Sequence, residues 1–147
     1  MKVVIVDDEQ LARNRLTRMI QDLEAFEVVG EAGNGMEAVD VVSTAAPDIV
    51  LLDIRMPGMD GLEAAQHLAG LDEPPAIVFC TAYEEHAVEA FNVQAVGYLL
   101  KPVRREDLKT ALTGASRSNK AQLAALRDAE DKSRSHISAN TRRGIEL

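Results

Sequence analysis

With 147 residues, 46% of them hydrophobic, the chain can bury one sizeable core and carry a tail, and is short for two full domains. It has no run of 18 apolar residues and no basic N-terminal region leading into an apolar stretch, which argues against a membrane span or secretory signal and makes a cytoplasmic location the expectation. The net charge of −8 is unevenly spread: residues 1–113 hold 9 Lys and Arg against 20 Asp and Glu, residues 114–147 hold 7 against 4, so the larger part repels polyanions.

In chain order, residues 3–6 (Val-Val-Ile-Val) open as an apolar run, followed by a helical segment in which Leu11, Leu16, Met19, Ile20 and Leu23 are assigned to one face. A weaker run at Val28 and Val29 precedes a turn at Gly33, Asn34 and Gly35 and a helical candidate over 35–45. Residues 49–52 (Ile-Val-Leu-Leu), a helical candidate over 61–71, residues 76–79 (Ala-Ile-Val-Phe), a candidate over 84–92 and residues 97–100 (Gly-Tyr-Leu-Leu) continue the alternation. Leu108, Ala111, Leu112 and Ala115 then share a helical face. Continuous rather than alternating apolar strands suit a sheet covered on both faces, so the pattern predicts a doubly wound parallel α/β domain over residues 1–115. The single Cys80 extends the fourth apolar run and reads as a reduced core residue.

Beyond residue 115 the composition becomes polar and Ala-rich. Residues 116–135 read as a linker with helical tendency, and 136–147 as the start of a second domain.

The chemistry gathers where the apolar runs end. The first leads into Asp7, Asp8 and Glu9, the third into Asp53, the fourth into Thr81 and the fifth into Lys101 and Pro102. Ligands of open α/β sheets bind beyond the carboxyl ends of the strands, so these groups are expected on one rim. Three carboxylates together repel unless a cation lies among them, and oxygen-only donors favour Mg²⁺, with Asp8 and Asp53 as ligands and Asp7 in support. A phosphoryl group on Asp53 would be neutralised by that ion and by Lys101, with the Thr81 hydroxyl bonding an oxygen: an aspartyl-phosphate site.

The segments around Asp7, Asp8 and Glu9, from Leu51 through Asp53, Met56, Pro57 and Gly58 to Gly61, at Thr81 and Ala82, and from Tyr98 to Pro102 resemble the signature segments of two-component response-regulator receivers. The resemblance implies a five-stranded parallel sheet of order 2-1-3-4-5 with five flanking helices, phosphorylation of Asp53, and a metal held by Asp7, Asp8, Asp53 and the backbone carbonyl of Arg55. It further implies that Thr81, Ala82 and Lys101 read the phosphoryl group and that the Lys101–Pro102 bond is cis. By pattern Tyr98 is a core candidate; the resemblance makes it a switch residue. The segment from Arg134 to Leu147 is similar to the opening strands of a LytTR-type DNA-binding domain.

The implied function is a signal-receiving module that takes its phosphoryl group from a sensor histidine kinase and controls a transcriptional output domain. DNA contact would come only through the part of that domain beyond this chain, no membrane is involved, and a phosphorylation-dependent homodimer is expected through 84–92, 97–101 and the helix from 104, with Ala87, Val88 and Phe91 along a stripe. The alternative is a stand-alone phosphorelay receiver. A phosphoaspartyl hydrolase would carry an acid two residues after Asp53, where Arg55 stands. Arg55 and Tyr83 are poorly suited to orienting water, so slow autodephosphorylation is expected. The spacing of His67, His86 and His136 matches no metal pattern.

Overall fold

The computed structural model describes residues 1–82 and 95–132, with the side chains of its last helix as far as residue 118. The candidate helix 84–92, with Tyr83, His86, Ala87, Val88 and Phe91, and the segment 136–147 with His136 lie outside the described residues.

Five strands, β1 (Lys2–Val6), β2 (Glu27–Ala32), β3 (Ile49–Leu52), β4 (Ala76–Thr81) and β5 (Gly97–Leu100), pair in parallel in the order β2-β1-β3-β4-β5. This is the doubly wound sheet expected from the apolar runs. The described helices are α1 (Gln10–Gln21), α2 (Gly35–Ala45), α3 (Gly61–Ala69) and α4 (Arg105–Lys132). None of them is long and apolar enough to cross a membrane.

The runs are continuous because successive residues serve two cores. Val4, Val6, Val50, Leu52, Ile77 and Phe79 face α2 and α3, meeting Ala38, Val42, Ala64, Ala65 and Leu68. Val3, Ile5, Leu51, Val78 and Cys80 face α1 and α4, meeting Leu16, Ile20, Leu108 and Leu112. Each such fully buried aliphatic side chain stabilises the fold by roughly 1.5–3 kcal/mol. Cys80 is 1% exposed, and burial pushes its thiol pKa up to about 12, as suits an inert core residue.

Leu11 departs from expectation: it is 80% exposed. Nine residues separate it from Ile20, which at 3.6 residues per turn turns it about 180° away from that buried side chain. The Gly-Asn-Gly turn resolves into a helix start, since the Asn34 side chain accepts the Glu37 N–H at 2.9 Å. Asp60 caps α3 in the same way through the Glu63 N–H, and that helix ends at Ala69, two residues before the expected limit. The compositional change after residue 115 does not interrupt α4, which continues to Lys132.

Candidate functional site

Parallel strands end on the same side, so the residues that follow them share one rim. Val6 ends β1 and hands on to Asp7 and Asp8, Leu52 ends β3 before Asp53, Thr81 closes β4, and Lys101 follows β5. Main-chain bonds keep these ends level: Asp53 N–H donates to the Val6 carbonyl at 3.0 Å, and Lys101 N–H to that of Thr81 at 2.9 Å.

Asp7, Asp8 and Asp53 each bring a carboxylate oxygen within 4.8 Å of the others. Asp7 and Asp53 are buried, while Asp8 is exposed. The Lys101 ammonium donates to Asp7 Oδ2 at 2.6 Å and to Asp53 Oδ2 at 3.3 Å. Asp7 Oδ1 accepts the Glu9 N–H at 2.9 Å. Burial works to lower the Lys101 pKa, but the Asp7 hydrogen bond and the charges of Asp53 and Asp7 outweigh it and hold the ammonium well above the usual lysine range. For Asp53 burial dominates in the other direction and raises the pKa above its ordinary 3.8; Lys101 opposes the shift and Asp7 adds to it.

The Thr81 hydroxyl is 0% exposed and, among the described residues, reaches hydrogen-bond geometry with no group, although it lies near enough to Asp53 to act in the direction that lowers its pKa. A buried hydroxyl left without a partner costs about 1–3 kcal/mol. Arg55, Met56, Pro57 and Asp60 line an open cleft of about 500 Å³ together with Asp8. Ala82 is exposed just after Thr81. Tyr98 is half-buried with its ring 6.3 Å from that of Phe79, and so touches the core three residues ahead of Lys101. The Lys101–Pro102 peptide bond is cis.

The donor set fits a hard divalent cation: three carboxylates converge, one ammonium is bonded to two of them, and no nitrogen or sulfur ligand intrudes among the clustered groups.

Two further residues contribute: Gly61, which closes a signature segment but has no role assigned from the sequence, and Arg15, which the sequence pattern does not single out. A Cβ on Gly61 would sit 2.0 Å from the Asp53 carbonyl oxygen, so only glycine lets α3 start against the residue that carries the central carboxylate. Arg15 donates from α1 to the Val103 carbonyl at 3.0 Å and thereby tethers the loop that follows Lys101. Both act through close approach between elements distant along the chain.

Comparison with known proteins agrees with this geometry. Residues 3–113 match the family described as the response regulator receiver domain. The chain is similar to the positive alginate biosynthesis regulatory protein of Pseudomonas aeruginosa, with 56% identity over 100% of this chain and 61% of that protein. The first curated relatives are matched over 39% to 61% of their own length. Among solved structures it is similar to the response regulatory domain of mrkE from Klebsiella pneumoniae, at 36% identity and a TM-score of 0.75 over 82% of this chain and 99% of that one. It is also similar to a chain of the CheX-CheY-BeF3-Mg complex of Borrelia burgdorferi, at 28% identity and a TM-score of 0.71 over 76% and 86%. The chain belongs to the response regulator receiver domains of two-component systems.

Proposed function

We propose that the chain is a phosphorylation-operated switch in which Asp53 accepts a phosphoryl group from the phosphohistidine of a sensor kinase. An Asp53 carboxylate oxygen forms the new P–O bond as the P–N bond to the kinase histidine breaks, and the electron pair stays on the departing imidazole. Asp7, Asp8, Asp53 and the Arg55 carbonyl would hold Mg²⁺, which when bound would supply charge neutralisation for the transferring group. The Lys101 ammonium neutralises one phosphoryl oxygen, and the Thr81 hydroxyl beside Ala82 donates to another. Tyr98 would relay the Thr81 displacement towards the surface of β5. The observation that carries the reading is the buried Asp53 carboxylate, set among two further acids and an ammonium, next to a buried hydroxyl without a partner among the described residues. The magnesium and beryllofluoride in the Borrelia complex lend support by similarity.

This makes the chain a regulatory domain rather than a turnover enzyme. Its own catalysis is limited to self-phosphorylation and slow loss of the mark. We assign residues 1–115 to the receiver, 116–135 to a connecting segment and 136–147 to the start of a LytTR-type DNA-binding domain, so the whole protein would act in the cytoplasm as a phosphorylation-dependent transcription regulator, with homodimerisation as one output. The regulatory name of the Pseudomonas relative supports that assignment over a stand-alone phosphorelay receiver.

The test is incubation with ³²P-labelled acetyl phosphate and Mg²⁺. The wild-type chain should take up label to a substantial fraction of one phosphoryl group per chain, and Asp53→Asn none while remaining folded by circular dichroism. Undiminished labelling of a folded Asp53→Asn would remove Asp53 from the role.

A further inference from the structure

The Arg13 side chain, only 15% exposed, binds in three directions from α1. Its Nε donates to Glu31 Oε1 on β2 at 2.9 Å, one terminal nitrogen to the Asp7 carbonyl at 2.6 Å, and the other to Gln10 Oε1 at 2.7 Å. The turn after β2 lies against the same group, since a Cβ on Gly33 would stand 3.5 Å from the nitrogen that holds Asp7. The main chain of Asp7 is therefore fixed twice: its N–H donates to the Ala32 carbonyl at 3.0 Å, and its carbonyl is held by Arg13. That carbonyl belongs to the peptide joining Asp7 to Asp8. Its orientation sets the direction in which the exposed Asp8 leaves the strand, and Asp8 has to converge with the two buried carboxylates.

None of these three bonds ends on a carboxylate of the rim. The guanidinium pairs with Glu31 instead, so the acidic cluster is oriented without losing its attraction for a cation. A planar fork that reaches three acceptors at fixed angles suits such a clamp; a lysine ammonium would have to choose among them.

We infer that Arg13 is a positioning residue of the divalent-cation site, presenting Asp7 and Asp8 by tying the Asp7 carbonyl to Glu31 on β2. The inference rests on the reading of the acidic rim as a cation site. Groups that orient metal ligands without touching the metal typically alter affinity 10- to 100-fold. Charge alone acts with the opposite sign, because removing a nearby positive group should favour cation binding.

The test is titration of the metal-free chain with Mn²⁺, with the free ion followed by electron paramagnetic resonance well below the melting temperature. The wild type should bind one ion, Arg13→Gln should bind it about 10-fold more weakly, and Arg13→Lys, which keeps the charge and can reach one acceptor, should fall between them. A folded Arg13→Gln that binds Mn²⁺ as tightly as wild type, or more tightly, overturns the role while leaving the cation site standing. If Arg13→Gln does not fold, Arg13→Lys decides: several-fold weaker binding supports the role, and unchanged binding overturns it. A wild-type chain that binds no Mn²⁺ overturns the reading of the rim and the role of Arg13 with it.

Discussion

The Lys101 ammonium lies 2.6 Å from Asp7 Oδ2 but 3.3 Å from Asp53 Oδ2, so one cation serves two buried carboxylates unequally. Asp7 is the better satisfied, with a Glu9 N–H on its other oxygen, and Asp53 keeps a raised pKa. The acid proposed to accept the phosphoryl group is thus the less tightly engaged of the pair.

Removing Lys101 should leave Asp7 buried without its counterion. Lys101→Ala is expected to lower the stability of the metal-free chain at pH 7 by about 1–3 kcal/mol, and Asp7→Asn in the same chain should recover part of that. Because the ammonium is held above the ordinary lysine range, the contribution of its titration is fully present at pH 7 and is lost only as the solution becomes more alkaline than about pH 10. Urea midpoints of the two variants and the wild type measure this, and equal midpoints for Lys101→Ala and wild type would contradict it.

Asp53 should act oppositely. Its folded pKa lies above 3.8, so the folded state holds that proton more tightly than the unfolded chain. The favourable contribution is fully present below the unfolded value and is lost as pH rises through the folded pKa. Asp53→Asn should therefore melt higher than wild type at pH 7 in the absence of metal. The difference should shrink as pH falls towards 4, as melting curves at several pH values would reveal; an Asp53→Asn that melts lower at pH 7 would run against it.

Gly58, in the loop after β3, and Gly61, the first residue of α3, should differ in what alanine does to them. At Gly61 the added Cβ meets the Asp53 carbonyl oxygen at 2.0 Å, so backbone must shift, at a cost of about 1–3 kcal/mol and with loss of acetyl phosphate labelling. Gly58 has φ +75° and nothing within 4 Å of its virtual Cβ. Gly58→Ala should therefore cost about 1–2 kcal/mol of backbone strain alone and leave labelling largely intact. Parallel denaturation and labelling of the two variants test the contrast.

Cys80, with its pKa at about 12 and 1% exposure, should be nearly unreactive towards Ellman's reagent at pH 8 in the folded chain. The same thiol should react promptly in denaturing urea. Rapid stoichiometric reaction of the native protein would mean that β4 opens far more readily than its packing indicates.

The sheet and the chemistry of its rim are legible in the amino-acid sequence alone. The runs at 3–6, 49–52 and 76–79 are apolar throughout because alternate residues are buried against opposite helical layers, whereas the edge strand 97–100 leaves Leu100 45% exposed; the parallel sheet brings Asp7, Asp8, Asp53, Thr81 and Lys101 to one rim. Half-buried β2 was visible only as Val28 and Val29, since an edge strand is less fully covered and its pattern weaker. The outward turn of Leu11, the continuation of α4 past residue 115, the approach of Gly61 to the Asp53 carbonyl and the link from Asp7 through Arg13 to Glu31 emerge from packing in three dimensions. Periodicity along one element reports which residues are buried. Lys101 and Asp7 lie 94 positions apart, and such a contact is set by the packing of whole elements, which a local pattern does not carry.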